Sequence, residues 1–262
     1  MSDLPPAPFR LTASLDGPPG APVLVLGNSV GSTRAAWDRQ LSPFRQRFRL
    51  LRYEHRGHGG SAGPPGPYTI AELGADVLAL LDSHRIERAA YCGISLGGMV
   101  GMWLAANSPD RISALGLVCT SAYLPPAAFW RTRAERVRAA GMAAISEQVI
   151  GRWFTPAFAA REPDVLASLT AEFERTDPEG YAGCCEAIAG MDLRPSLRSI
   201  TAPTVVIAGA QDPATPPEHG AVIAAGISGA RLVVIPEAAH LPTVSAPGEV
   251  TAVLLDHLNP PA

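Results

Sequence analysis

The sequence predicts an α/β protein with a mostly parallel central sheet flanked by helices. Short apolar runs that end at Gly, Pro or Asp are typical of buried strands, and apolar residues at three- and four-residue spacing are typical of helices. The two kinds of segment alternate along the chain, which favours a parallel sheet covered on both faces. The chain has 262 residues, of which 47% are hydrophobic, and this length suits one large domain, or one domain with an insertion.

The elements alternate in a regular order outside the middle of the chain. Strands are predicted, in chain order, at residues 22–26, 48–53, 88–93, 112–119, 203–208 and 230–235. Helices are predicted at residues 69–84 and 96–107, from residue 217 onward, and at about residues 247–258. The segment 69–84, TIAELGADVLALLDSH, has the clearest helical spacing of apolar residues.

The alternation stops in the segment of residues 122–197, called the cap segment below. This segment is rich in Ala, Arg and Glu, has helical periodicity and contains no predicted strand. We therefore expect residues 1–121 and 198–262 to form the α/β core, with residues 122–197 as a helical cap inserted into it. A helical insertion of this kind is a usual way to build a lid over a site.

Composition and charge exclude several classes of protein. The net charge is −3 and no long basic run occurs, which argues against nucleic-acid binding. The first ten residues, MSDLPPAPFR, lack the apolar core of a signal peptide, and no apolar stretch reaches the length of a membrane span. We therefore expect a cytoplasmic protein with no membrane partner. The four cysteines lack metal-ligand spacing, and no feature of the sequence indicates an oligomeric state.

A serine lies between two glycines where a predicted strand becomes a predicted helix, in the stretch GISLG (93–97). Such a turn holds Ser95 in strained backbone geometry, and the small flanking residues let neighbouring backbone pass closely. A nucleophilic serine needs a base and an acid that orients the base. Asp212 and His240 each follow a later predicted strand, and the carboxyl ends of parallel strands meet at one edge. The sequence thus predicts Ser95 as nucleophile, His240 as base and Asp212 as acid.

Two backbone N–H groups are candidates for binding the oxyanion of a reaction intermediate. The turn leaves Ser95 at a helix N-terminus, where N–H groups face a developing negative charge. The N–H of Leu96 is therefore one expected donor. The second is expected from the loop after the first predicted strand, GNSVG (27–31), and we assign it to Ser29.

Other interpretations of these residues remain open on the sequence alone. Ser95 could be an ordinary turn residue in a glycine-rich connection. Glu237 could replace Asp212 as the acid, although it lies in the same loop as His240 and is poorly placed to reach round the ring. His55 and His58 lie in a glycine-rich loop after a strand, and for them a structural or pocket-lining role is favoured over catalysis.

Several motifs carry a resemblance to a known family. The segments RGHGGS (56–61) and GISLGG (93–98), together with Asp212 and His240, resemble the α/β-hydrolase superfamily over nearly the whole chain. More specific segments resemble the 3-oxoadipate enol-lactonases within it: GNSVGS (27–32), GPYTIAELGADVLALLD (66–82), RWFTPAF (152–158) and TDPEGYAGCCEAIAGMDLRP (176–195). The sequence departs from that family at two places. Glu54 stands where the family usually has Asp, and the segment 241–245 lacks the Asn and Glu that are often found there.

The resemblance implies an α/β-hydrolase fold and a specific reaction. It implies hydrolysis of an enol-lactone that carries a carboxylate, in the β-ketoadipate pathway, through an acyl-enzyme on Ser95 with no metal or organic cofactor. The expected partner is a small anionic lactone or ester. Alternatives on the same fold are another ester or lactone hydrolase, a C–C bond hydrolase, or a non-catalytic ligand-binding protein.

The substrate carboxylate needs a charged partner once it is desolvated beneath the cap. The chain contains no lysine, so an arginine is expected, and four cluster in one predicted helix of the cap segment: Arg131, Arg133, Arg136 and Arg138. Most such residues are solvent-exposed. Arg133 lies three residues from Trp130, so the two can share a helix face. We expect Trp130, Arg133 and Trp153 to contact the substrate.

Overall fold

A seven-stranded sheet forms the centre of the computed structural model, which describes residues 9–258. The strands are β1 (Ala13–Asp16), β2 (Val23–Gly27), β3 (Arg49–Tyr53), β4 (Ala89–Ile94), β5 (Ile112–Val118), β6 (Thr204–Gly209) and β7 (Arg231–Ile235). Their order across the sheet is β1-β3-β2-β4-β5-β6-β7, and only β1 pairs antiparallel to its neighbour. The predicted α/β class with a mostly parallel sheet is confirmed.

The antiparallel edge strand β1 was not predicted from the sequence. It has four residues, ASLD, and all of them are only half-buried. A strand this short, with no alternation between buried and exposed positions, gives no periodic signal. It is held at the edge by pairing with β3, where Ala13 lies opposite Tyr53, and by an ion pair between Asp16 and Arg45 (2.8 Å).

Helices cover both faces of the sheet, as expected for parallel strands joined by crossovers. The described helices are α1 (Leu41–Arg45), α2 (Ile70–Ser83), α3 (Leu96–Asn107), α4 (Ala127–Ala140), α5 (Ser146–Trp153), α6 (Pro156–Arg161), α7 (Pro163–Glu174), α8 (Pro178–Gly190), α9 (Pro217–Gly226), α10 (Pro242–Ser245) and α11 (Pro247–His257). The start of α2 is fixed by a capping box. Thr69 Oγ1 accepts from Glu72 N–H, and the Glu72 carboxylate accepts from Thr69 N–H at 2.7 Å.

Helices α4 to α8 all lie in the cap segment, between β5 and β6 in the chain. Because β5 and β6 pair directly, these helices stand outside the sheet and leave it uninterrupted. Helix α4 packs against α8, and Arg138 on α4 forms ion pairs with Glu179 (2.8 Å) and Glu186 (2.5 Å) on α8. The two ends of the segment meet where Leu193 N–H donates to Ala122 O at 2.7 Å.

The core lies on both sides of β4, whose six residues are all buried. All four cysteines are buried and free. Among the described residues, no helix is long and apolar enough to cross a membrane.

Candidate active site

Ser95 sits on a sharp turn between β4 and α3. Its backbone has φ +51° and ψ −112°, a conformation that side-chain-bearing residues rarely adopt and that costs about 1–3 kcal/mol. Such strain persists where surrounding contacts enforce it. Here Ser95 N–H donates to Val118 O (2.9 Å), and Thr120 Oγ1 donates to Ser95 O (2.7 Å). The ends of β4 and β5 therefore hold the serine in place.

Gly97 lets the start of α3 lie directly against the end of β2. A Cβ at this position would lie 2.6 Å from the carbonyl carbon of Gly27 and 2.9 Å from Asn28 N. Both are backbone atoms, which cannot give way as a flexible side chain can. Asn28 O also accepts from Gly97 N–H at 2.9 Å, which fixes the two segments in register.

We expect Gly97→Ala to destabilise the protein because the added methyl group would force β2 away from α3. The cost of such overpacking is about 1–3 kcal/mol in the free energy of unfolding, measurable by urea denaturation. Gly151→Ala is the matched control, since nothing lies within 4 Å of a Cβ there and alanine favours a helix. Equal unfolding midpoints for the two variants would contradict the expectation.

His240 and Asp212 form a buried hydrogen-bonded pair at the ends of β7 and β6. His240 Nδ1 lies 2.7 Å from Asp212 Oδ2. Burial tends to raise the pKa of Asp212, but His240 and the hydrogen bonds from Thr215 lower it to about 2. The ionised carboxylate only accepts, so His240 Nδ1 carries the proton and Nε2 is left with a lone pair. The pair can therefore act as an oriented base.

A cavity of about 220 Å³ brings most of the predicted site residues together. Its lining residues are Ser29, Val30, Ser95, Leu124, Pro125, Pro126, Phe129, Trp130, Arg133, Val149, Arg152, Trp153, Pro213, Ala214, Thr215 and His240. The predicted residues outside this lining are Leu96 and Asp212, which are buried behind Ser95 and His240 respectively. The core supplies the potential nucleophile and base, and the cap segment supplies the aromatic and cationic walls.

Ser29 lies in the loop that follows β2, and a hydrogen bond to His58 holds this loop in place. Ser29 is fully buried and lines the cavity, and the next part of the loop is fixed where Gly31 N–H donates to His58 Nε2 (2.8 Å). Burial lowers the pKa of His58 to about 4 and that of His55 to about 3, so both rings are neutral near pH 7. Neither ring lines the cavity, so both histidines support the loop from behind.

Arg133 differs from the other three arginines of α4 because its side chain points into the protein. It is only 9% exposed, and its guanidinium carbon lies 4.6 Å from the Phe129 ring centre and 5.0 Å from that of Trp130. Its Nη2 is buried and makes no hydrogen bond of good geometry, although the Tyr181 hydroxyl lies beside it, and among the described residues no carboxylate forms an ion pair with Arg133. A buried charge left unpaired is costly, so this cavity favours an anion.

The neighbouring arginines have other environments. Arg131 is exposed, Arg136 donates to Ala144 O (2.5 Å), and Arg138 is paired with two glutamates of α8. Within the described residues, no three His, Cys, Asp or Glu side chains come together as they would around a metal ion.

Sequence reasoning missed two polar residues of the cavity. Thr215 Oγ1 donates to Asp212 Oδ2 (2.8 Å) and lies 3.4 Å from His240 Nδ1, so it helps to fix the acid. Its signal was its position three residues after Asp212 in the same loop. Arg152 is half-buried on α5, with its guanidinium carbon 5.8 Å from the Phe129 ring centre. It stands beside Trp153 in the segment RWFTPAF, but adjacency in the chain does not predict that its side chain reaches the Phe129 ring.

Comparison with known proteins identifies the class to which this fold and site belong. Residues 11–253 match the model of the alpha/beta hydrolase family, so the chain belongs to that family. The 3-oxoadipate enol-lactonase 2 of Acinetobacter baylyi is 41% identical over 226 residues, which cover 86% of this chain and 84% of that protein. Family, fold and enol-lactonase relatives together identify the chain as an ester-hydrolysing enzyme.

Solved structures give the same class. The enol-lactonase from Burkholderia xenovorans LB400 has a TM-score of 0.93 and 42% identity, over 95% of this chain and 96% of that one. A thermophilic esterase from Thermogutta terrifontis, solved with malate bound, has a TM-score of 0.88 and 29% identity, over 94% of this chain and 92% of that one.

Proposed function

We propose that this enzyme opens an enol-lactone bearing a carboxylate, with Ser95 as nucleophile, and that it is a 3-oxoadipate enol-lactonase of the β-ketoadipate pathway. The observation that carries the proposal is the side chain of Arg133, which lines the same cavity as Ser95 and His240 and is buried there without a carboxylate partner among the described residues. One cavity then holds a receptor for the carboxylate and a group that can attack the lactone. The similarity to two enol-lactonases supports the same substrate.

The first half of the reaction forms an acyl-enzyme. His240 Nε2 takes the proton from Ser95 Oγ, which attacks the lactone carbonyl carbon. The N–H groups of Ser29 and Leu96 stabilise the negative oxygen, each contributing about 10²–10³ in rate. When the carbonyl re-forms, the ring C–O bond breaks and the enolate oxygen takes the proton from His240. The resulting enol converts to a ketone.

The second half releases the product. Water gives a proton to His240 Nε2 and attacks the acyl carbon, the same donors hold the oxyanion, and Ser95 Oγ leaves with the proton. Asp212 stays ionised throughout and stabilises the imidazolium that forms twice in the cycle, because its pKa is held at about 2. The product carries one carboxylate more than the lactone.

The cap segment is proposed to select the substrate. Trp130 and Trp153 contribute aromatic surface to the cavity lining, and Arg133 supplies a positive charge. The same machinery suits other esters or lactones, for which the similarity to an esterase is a specific argument. A C–C bond hydrolase on this fold is a further candidate. A non-catalytic binding protein is disfavoured, because the strained serine and the oriented histidine would have no use in it.

Incubation of the purified enzyme with 3-oxoadipate enol-lactone tests the proposal directly, by the loss of the lactone absorbance. A neutral 4-nitrophenyl ester, run in parallel, tests the serine chemistry without the carboxylate. Turnover of the lactone with the higher kcat/KM is expected. Hydrolysis of the ester without turnover of the lactone would reject the substrate and keep the mechanism.

We expect Arg133→Ala to raise KM for the anionic lactone tenfold or more, because the carboxylate would lose its partner inside a largely apolar cavity. A tenfold change corresponds to about 1.4 kcal/mol. Hydrolysis of the neutral ester should be spared, and steady-state kinetics on both substrates separate the two effects. Arg131→Ala, on an exposed position of the same helix, is the control. Equal losses on both substrates would indicate damage to the packing of the cap instead.

A further inference from the structure

Asn28, the residue before Ser29, is held by hydrogen bonds from several directions. Its side-chain Nδ2 donates to Tyr53 O (2.7 Å) and to a carboxylate oxygen of Glu54 (3.3 Å). Its backbone O accepts from Gly97 N–H (2.9 Å) and lies 3.0 Å from His55 Nε2. These partners come from the end of β3 and from the first turn of α3.

The backbone oxygen of Asn28 belongs to the same peptide unit as the N–H of Ser29. A trans peptide is planar, so its C=O and N–H point in opposite directions and turn together. Whatever fixes Asn28 O therefore also fixes the direction of Ser29 N–H, the group assigned above to the oxyanion. A single hydrogen bond from Gly97 would leave the peptide plane free to tilt, whereas a second donor from a different element fixes it.

The second donor is His55, and its tautomer follows from the geometry. A carbonyl oxygen can only accept, so Nε2 of His55 carries the hydrogen. The ring is buried, and its edge contacts the Tyr53 ring at 5.1 Å between centres and the His58 ring at 6.0 Å. Burial, with a smaller effect of His58, lowers the pKa of His55 to about 3, so the ring stays neutral in the range where the enzyme would be assayed.

We propose that His55 is a positioning residue for the oxyanion hole, which it aims by donating from Nε2 to Asn28 O. The proposal rests on the proposed function, since it assigns Ser29 N–H to the oxyanion. A carbonyl that accepts two hydrogen bonds is also more polarised, which makes the N–H of its own peptide a stronger donor. His55 is not among the residues that line the cavity, so we expect its effect on the transition state and not on substrate binding.

The test compares three substitutions at position 55. In His55→Gln the amide nitrogen stands as many bonds from Cβ as Nε2 does in histidine, so the donor is kept. His55→Met has similar bulk without a donor, and His55→Asn carries an amide too short to reach Asn28 O. We expect about tenfold lower kcat for the Met and Asn variants, with KM within twofold, on 4-nitrophenyl acetate and on the lactone. The Gln variant should stay within threefold of the wild type in kcat.

Two inhibitors distinguish a misplaced oxyanion hole from general damage to the site. Phenylboronic acid forms a tetrahedral, negatively charged adduct with a nucleophilic serine, so it needs the oxyanion hole, whereas succinate needs only a cationic site. In the Met and Asn variants we expect about tenfold weaker inhibition by phenylboronic acid and unchanged inhibition by succinate.

Three results would overturn the proposal: a Gln variant as impaired as the other two, a parallel loss for both inhibitors, or full kcat in the Met or Asn variant. Ser95→Ala is measured alongside. If it still hydrolyses the ester, the proposed function itself falls and the assignment of His55 falls with it. If it is inactive while His55 variants behave like the wild type, only the assignment of His55 is rejected.

Discussion

Replacing Ser95 with alanine is expected to abolish nearly all turnover while leaving the fold intact. The members of a serine–histidine–acid site act as a unit, so loss of the nucleophile removes almost the whole effect, up to about 10⁶ in kcat. The substitution removes one hydroxyl from a side chain that lines the cavity, and the backbone bonds to Val118 O and from Thr120 do not involve that hydroxyl. Thermal unfolding should therefore be nearly unchanged.

The measurement is kcat on both the lactone and the neutral ester, with the unfolding temperature as control. A variant that keeps a tenth of the wild-type activity would remove Ser95 from the role of nucleophile. A variant that loses activity on the lactone alone would mean that Ser95 contacts the substrate without reacting with it.

Asp212→Asn is expected to cost about 10⁴ in kcat with little change in KM. The carboxylate accepts from Ala214 N–H (2.8 Å), Thr215 Oγ1 (2.8 Å) and His240 Nδ1 (2.7 Å). An asparagine would retain the acceptor toward the loop and turn its NH₂ toward the histidine. His240 would then carry its proton on Nε2 and could not accept one from Ser95. Asp212 is absent from the cavity lining, so substrate binding should be spared.

The control for this prediction is Glu237→Gln. Glu237 lies in the same loop as His240, but its side chain is exposed. We expect it to change kcat by less than twofold. Should it prove the more damaging of the two substitutions, the role of orienting acid would pass to Glu237.

The parts of the fold that were predictable have strong local signals. The segment GISLG lies between two apolar runs, and a serine with a glycine two residues away on either side indicates a change from strand to helix. It predicted that α3 begins at Leu96, as observed. Asp212 and His240 each follow a predicted strand, and this position was enough to predict that they lie close together, because parallel strands end at the same edge of the sheet. The edge strand β1 has no such signal because its four residues are evenly half-buried.

The parts of the candidate site that were missed depend on tertiary packing. Arg133 lies three residues after Trp130 in α4, and this spacing alone predicts that the two side chains share a face of the helix. No contact between helices is needed for that prediction. Arg152 approaches the same Phe129 ring from α5, so its place depends on how α4 and α5 cross, which no local pattern contains. Thr215 reaches Asp212 only because the loop turns back on itself.

The meeting of Ala122 and Leu193 has a consequence for how this family could diversify. The segment between them leaves and re-enters the core at one hydrogen-bonded point, and both residues at that point are buried. The strands before and after this segment, β5 and β6, already pair with each other. The pairing in the sheet therefore does not depend on the segment between them. A replacement segment would need to reproduce this junction and the hydrogen bonds that the segment makes to the core, such as those from Asp177 N–H to Gly57 O and from Leu241 N–H to Trp153 O. We infer that segments of different sequence can be joined to the same core at this junction, provided that those contacts with the core are kept.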